Sequence, residues 1–208
     1  DMMGGPEAVL AEARKAQLAK AETVFLAVQG VAGEDARYRM SLGQVYYWLG
    51  KPDEGKALFD ELLESEGRSY ESLIRIASAL REIGATREAR SLMEEAYRAT
   101  EEDNLKRNAA HIRSMTSIDL DDRIEWLKKS DQTSDAVKAD LAASLAQKAV
   151  EKHDDSEAER QYREATRIYD SFPESTMSLN NGALSWFQLY AVSGDRAALQ
   201  AAIKRLER

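Results

Sequence analysis

The chain of 208 residues is 43% hydrophobic and 32% charged, carries 29 basic and 37 acidic side chains for a net charge of −8, and contains no cysteine. That composition excludes a disulfide framework, thiolate metal sites and a cysteine nucleophile. It also leaves no basic stripe to displace counterions from nucleic-acid phosphates, since residues 1–102 carry a net −6 and residues 103–208 a net −2.

No run of about 18 uninterrupted apolar residues is present, so no membrane insertion is expected. Asp1, Met2, Met3, Gly4, Gly5 and Pro6 lack the basic flank and apolar core of a secretory signal. The compartment stays open between cytoplasm and bacterial periplasm, because a chain that starts on aspartate reads as a trimmed product.

Apolar residues recur at spacings of three and four almost throughout, which predicts an all-α protein. The breaks carry turn chemistry at Gly30 and Gly33, Gly50 to Asp53, Glu66 to Ser69, Gly84 to Thr86, Asp119 to Asp122, Asp131 to Ser134, His153 to Asp155, Pro173 to Ser175, and Gly194 with Asp195. About eleven helices follow, joined by short connections that force consecutive helices antiparallel. Residues 1–33 read either as one N-terminal helix or as a degenerate repeat, with Ala21, Phe25 and Val28 fitting the second half of a unit. Units follow at 34–69, 70–103, a degenerate 104–133, and 134–173. A C-terminal helix pair, complete or truncated, spans 174–208 and includes an expected extra loop at Asn180, Asn181 and Gly182.

The decisive signal is a period. Gly43, Tyr46, Gly50, Gly55, Phe59 and Leu62 align with Ala77, Leu80, Gly84, Ala89, Met93 and Ala96, each pair 34 residues apart. Helices cross closely only where a side chain is small, so Gly43 with Gly55, and Ala77 with Ala89, mark the crossings. Tyr46, Phe59, Leu80 and Met93 are expected to fill the gaps beside them. Ala146, Ala149, His153, Ala158, Tyr162 and Ala165 repeat the spacing 69 residues beyond the second set. Tyr190, Gly194, Leu199, Ile203 and Leu206 form the last pair.

On these residues the chain resembles the tetratricopeptide repeats (TPR), best over 36–69 and 70–103. Arg39 stands near the family's usual tryptophan and Gly55 where it prefers alanine. The resemblance implies an α-solenoid of antiparallel helix pairs, a TPR-like right-handed superhelix, without catalytic activity. Its concave face, lined by the first helix of each pair, would bind a peptide or protein partner. The places that line that face correspond here to Arg37, Met40, Gln44, Tyr47 and Trp48, then Glu71, Ile74, Ser78, Arg81 and Glu82, then Leu105, Asn108, Ile112 and Met115.

Tyr47 and Trp48 are the sharpest anchors, because Tyr46 is assigned to the core and three successive aromatics cannot all face inward. The alternative packs Trp48 under the N-terminal helix. Met40, Gln44 and Ile74 replace the polar groups of the family's carboxylate clamp, which disfavours chaperone tails. Arg37, Arg81 and Asn108 either hold an acidic or amide group or belong to a solvated face.

No cofactor or metal is expected. His111 and His153 lie 42 residues apart without partner ligands, and His153 occupies a turn-glycine place. Asp119 to Arg123 fails as a calcium loop, and Asp121 and Asp122 read as caps or first-turn carboxylates. No phosphate loop or nucleophile elbow occurs. The expectation is a non-enzymatic interaction scaffold, or alternatively an accessory TPR region of a larger enzyme, regulator or envelope/secretion factor. The apolar last helix, without a polar cap, favours the second version.

Overall fold

Turn chemistry and helical periodicity produce eleven helices among the described residues, in a computed structural model that describes residues 6–172 and 175–208. Asp1–Gly5 and Pro173 lie outside the described residues. The helices are α1 (Pro6–Ala32), α2 (Ala36–Trp48), α3 (Pro52–Glu66), α4 (Tyr70–Glu82), α5 (Thr86–Ala99), α6 (Asp103–Ser114), α7 (Leu120–Lys129), α8 (Asp135–Glu151), α9 (Asp155–Asp170), α10 (Thr176–Ser193) and α11 (Arg196–Leu206). No strand occurs among the described residues.

Polar side chains start most of these helices by accepting the orphan backbone donors of the first turn. Asp35 accepts from Arg37 and Tyr38, Ser69 from Ser72, Asp119 from Asp122, Asp154 from Glu157 and Asp195 from Ala197. Asp119 is therefore the cap of α7, with Asp121 and Asp122 in its first turn.

The first helices of three pairs end in the same turn. The amides of Lys51, Ala85 and Asp154 donate to the carbonyls of Tyr46, Leu80 and Ala149 at 2.8, 2.8 and 2.9 Å. The residue just before each donor adopts a positive φ, 73° at Gly50, 82° at Gly84 and 58° at His153. Glycine takes this left-handed conformation freely, and His153 takes it at a cost in backbone strain. His153 thus belongs to a helix end, as its place in the period suggested.

Packing divides the described residues into two compact units, with the boundary between Thr100 and Glu101. In unit 1, α2 packs on α3, α4 on α5, and α1 lies on α2. The crossing of α2 and α3 occurs at the glycines: a Cβ on Gly43 would stand 2.8 Å from the Phe59 ring, and one on Gly55 would stand 2.8 Å from the Gly43 carbonyl oxygen. In the next pair Ala77 and Ala89 are fully buried beside Leu80 and Met93.

Unit 2 continues from α6 to α11, each helix packed on the next, with Ala146, Tyr162, Leu189 and Ala198 in one core cluster and Ala139, Ala142, Ala165, Ile168 and Tyr169 in another. The poorly matched pair α6 and α7 replaces apolar packing with a buried ion pair. Arg113, 3% exposed, meets both carboxylate oxygens of Asp122 at 3.0 Å and stacks over Trp126 at 5.0 Å.

Three expectations need correction. Gly30 lies within α1, which runs as one helix to Ala32. The extra loop at Asn180, Asn181 and Gly182 is absent, because a capping box between Ser175 and Ser178 starts α10 at Thr176 and the helix continues to Ser193. Gly182 serves close approach, since a Cβ there would stand 2.7 Å from the Arg205 guanidinium. Finally, Tyr46 is only half-buried, with the Lys51 ammonium 5.7 Å above its ring. Arg39, which lines the same recess as Tyr46, donates to the Gly33 carbonyl at 2.9 Å while pairing with Glu34.

Candidate partner-binding surfaces

The sequence-selected residues fall on α2, α4 and α6, with Met115 at the C-terminal end of α6. On α2, Arg37 is exposed, Met40 and Gln44 are half-buried, and Trp48 is 53% exposed. On α4, Ile74 and Ser78 are half-buried and Arg81 is exposed. These residues belong to unit 1, where α2 and α4 touch. Asn108 (exposed) and Ile112 (half-buried) sit on α6 in unit 2.

Trp48 borders an open recess whose other walls, including Arg14, Leu18 and Ala21, all come from α1. The indole is therefore shared between the N-terminal helix and solvent. Tyr47 departs from the expected exposed groove aromatic. Its ring stacks on Phe59 with centroids 5.9 Å apart and lies over Gly55, where a Cβ would come within 2.6 Å of it. Gly55, lacking a side chain, opens the space that the ring fills.

A more complete surface lies in unit 2, at places the period designates. Adding the 69-residue offset to Glu71, Ile74 and Ser78 gives Asp140, Ala143 and Gln147 on α8, and the offset of 41 from Ala149 to Tyr190 carries Asp140 and Ala143 to Asn181 and Leu184 on α10. All five line one recess of about 170 Å³, together with Arg123, Ser144, Tyr169 and Ser185. A second recess of about 390 Å³ adjoins it and shares Asp140, Tyr169 and Asn181; its other walls include His111, Met115, Phe172 and Met177. Met115 was among the sequence-selected places, whereas Asp140 and Asn181 were not.

Asp140 is the hub. It accepts the Tyr169 hydroxyl at 2.6 Å, and Arg123 stands 3.9 Å away. Burial first, then the adjacent Asp140 charge and the hydrogen bond to it, push the Tyr169 pKa well up, so the phenol keeps its proton and holds the carboxylate in place. Arg123 Nε is buried without a hydrogen-bond partner. Gln147 and Asn181 add side-chain amides that both donate and accept, the capacity needed to pair with a peptide backbone. The adjoining recess offers thioethers and an aromatic ring, which adapt to varied apolar groups; Met177 is 71% exposed. Among the described residues no cluster of side chains suited to a metal ion occurs, and no helix is long and apolar enough to cross a membrane.

No protein-family model matches the sequence, and no curated protein matches it. Solved structures do. The chain is similar to Pseudomonas aeruginosa PilF at a TM-score of 0.54 and 19% identity, over 96% of this chain and 87% of that one. Its likeness to MamA gives a TM-score of 0.53 at 13% identity, over 84% and 93%. The C-terminal part of a TPR repeat-containing protein from Cytophaga hutchinsonii gives 0.51 at 11% identity, over 94% and 78%. At such identities the likeness concerns the fold. Together with the helix pairs, the small-residue crossings and the shared turn, it establishes that this chain has the tetratricopeptide-repeat fold.

Proposed function

We propose that the chain is a non-enzymatic protein-interaction scaffold, and that the face made by α8 and α10, with Met115 at the C-terminal end of α6, holds an extended segment of a protein partner. The observation that carries this reading is the convergence of repeat-designated places on two adjoining recesses, one polar around Asp140 and Asn181, one apolar around Met115, Phe172 and Met177. An extended peptide presents alternating backbone amides and side chains, so a row of amide side chains beside an apolar recess is complementary to it. The α2 and α4 face of unit 1, with Arg37, Met40, Gln44, Trp48, Ile74, Ser78 and Arg81, is a second contact area of the same kind.

The test is affinity capture from the native source, followed by calorimetry with overlapping peptides of the captured protein. Wild-type protein, Asn181→Ala and Met177→Glu are compared. Both substitutions should weaken the binding peptide at least tenfold while leaving the circular dichroism spectrum unchanged. A peptide that binds both variants as tightly as wild type would refute the assignment.

A further inference from the structure

Among the described residues α1 stands outside the five helix pairs and packs on α2. Its 27 residues span about 40 Å, whereas the 13 residues of α2 span about 20 Å, so α2 cannot cover it. The contacts between the two fix which side of α1 faces inward. The Phe25 ring meets Tyr38 edge to face with centroids 5.5 Å apart, the Phe25 carbonyl accepts the Tyr38 hydroxyl at 3.0 Å, and Glu22 pairs with Lys51 at 2.6 Å.

Beside that inward side runs a seam. Arg14, Gln17, Ala21, Val24, Val28 and Val31 follow one another at spacings of three, four, three, four and three, the repeat that lets two helices interlock along their length. Val24, Val28 and Val31 are exposed, the last at 96%, and contiguous exposed apolar side chains of this kind mark an interface. Towards its N-terminal end the same seam passes into the recess where Arg14, Gln17 and Ala21 stand with Trp48. One end of the seam therefore projects side chains and the other is hollow.

Charge runs the same way. The hollow end carries Arg14, Lys15 and Lys20, all exposed, while Glu12 lies about a third of a turn off the seam and Glu22 is taken by Lys51. The valine end has no basic residue in its last turn and presents the negative end of the helix dipole. Glu34, 95% exposed although paired with Arg39, and Asp35 follow it directly.

A helix that fits this seam must bring projecting apolar groups and acids to the hollow end, and a cationic end to the valines. The seam itself, read in the opposite direction, has those properties. An antiparallel copy would set Ala21 against Val24 of the second copy, Gln17 against Val28 and Arg14 against Val31, and two-fold symmetry makes each contact twice. The alanine leaves room for the valine opposite, and the Arg14 stem covers apolar surface while its charge reaches towards Glu34 and Asp35 of the second copy.

We propose that the protein associates with itself as a two-fold dimer through antiparallel α1 helices, Val24, Val28 and Val31 of each copy seating against Ala21 and Trp48 of the other. The dimer needs neither the α8 and α10 face nor a bound peptide.

Sedimentation velocity on the full chain across a micromolar concentration series should show a reversible monomer–dimer equilibrium. Val28→Glu, which puts a charge on an exposed position of α1, should raise the dimer Kd at least tenfold without changing the circular dichroism spectrum. Because the chain has no cysteine, single introduced cysteines report direction. In the antiparallel pair the two residues 24 lie near the symmetry axis, whereas the two residues 31 lie about 25 Å apart along the helices. A short bismaleimide should therefore cross-link Val24→Cys and leave Val31→Cys uncoupled. Asn181→Ala should dimerise as wild type does, which separates this result from the fate of the peptide face. A wild type that stays monomeric throughout the series assigns the seam to a helix of another protein and overturns the dimer. Equal cross-linking of both cysteine variants, or a Val28→Glu dimer as tight as wild type, overturns the antiparallel contact.

Discussion

Replacing His153 by glycine should stabilise the protein. The residue closes α8 at φ 58°, in a turn whose counterparts at Gly50 and Gly84 have φ values of 73° and 82° and the same backbone hydrogen bonds. A side chain in this conformation costs about 1–2 kcal/mol, and glycine returns about 0.5–1 kcal/mol of that through the greater freedom of the unfolded chain. The imidazole is exposed, and among the described interactions no hydrogen bond or ion pair holds it, so its removal forfeits little packing. The net expectation is a gain of about 0.5–1 kcal/mol, equivalent to about 1–4 °C in Tm for a chain of this size. Urea unfolding followed by far-ultraviolet circular dichroism should show a higher midpoint with an unchanged slope. The mirror substitution, Gly84→His, places a side chain at φ 82° and, by the same two terms, should cost about 0.5–1 kcal/mol. A loss of stability in His153→Gly, or no loss in Gly84→His, would refute the shared-turn reasoning.

Alanine at position 55 is the residue that the family pattern recommends, yet Gly55→Ala should cost about 1–3 kcal/mol in a thermal melt, because the new Cβ would stand 2.6 Å from the Tyr47 ring and 2.8 Å from the Gly43 carbonyl. Breaking the buried pair with Arg113→Ala should cost about 3–5 kcal/mol in urea unfolding. Burial pushes the Asp122 carboxyl upward, but hydrogen bonds from Arg113 and the Ile118 amide outweigh it and the net pKa lies below the usual carboxylate value. That contribution is therefore fully present above about pH 4, the ordinary carboxylate range, and is lost as pH falls through the lowered value; an acid titration of stability should show the loss in wild type and a shallower one in Arg113→Ala. Tyr47→Ala should cost about 3 kcal/mol because its ring is packed on Phe59, whereas Trp48→Ala, half exposed, should cost less than about 1 kcal/mol. Equal losses in the two variants would show that the aromatic pair shares one environment.

The sequence by itself determined the helices, their antiparallel pairing and the crossings at Gly43 with Gly55 and Ala77 with Ala89. These features are local: turn residues, caps and the 3.6-residue period act within a helix or across one tight connection, and a small residue recurs wherever two backbones must meet. Period arithmetic also reached further than the residues first chosen from it, since the same offsets designate Asp140, Gln147 and Asn181. Asn181 was passed over because Asn-Asn-Gly reads locally as a loop, while the Ser175 capping box and the packing of Gly182 against Arg205 make it helix.

Tertiary structure alone decided where the three successive aromatics go. Adjacent helical positions differ by about 100° in direction, so Tyr46, Tyr47 and Trp48 take whatever each neighbour leaves open. Lys51 covers Tyr46, the missing side chain of Gly55 admits Tyr47, and α1 borders Trp48. The same holds for the hub in unit 2, where Arg123, Asp140, Tyr169 and Asn181 come from four different helices. Residues so far apart in the chain meet only through packing, and a repeat period records which face a residue occupies but not which distant side chain it will find there.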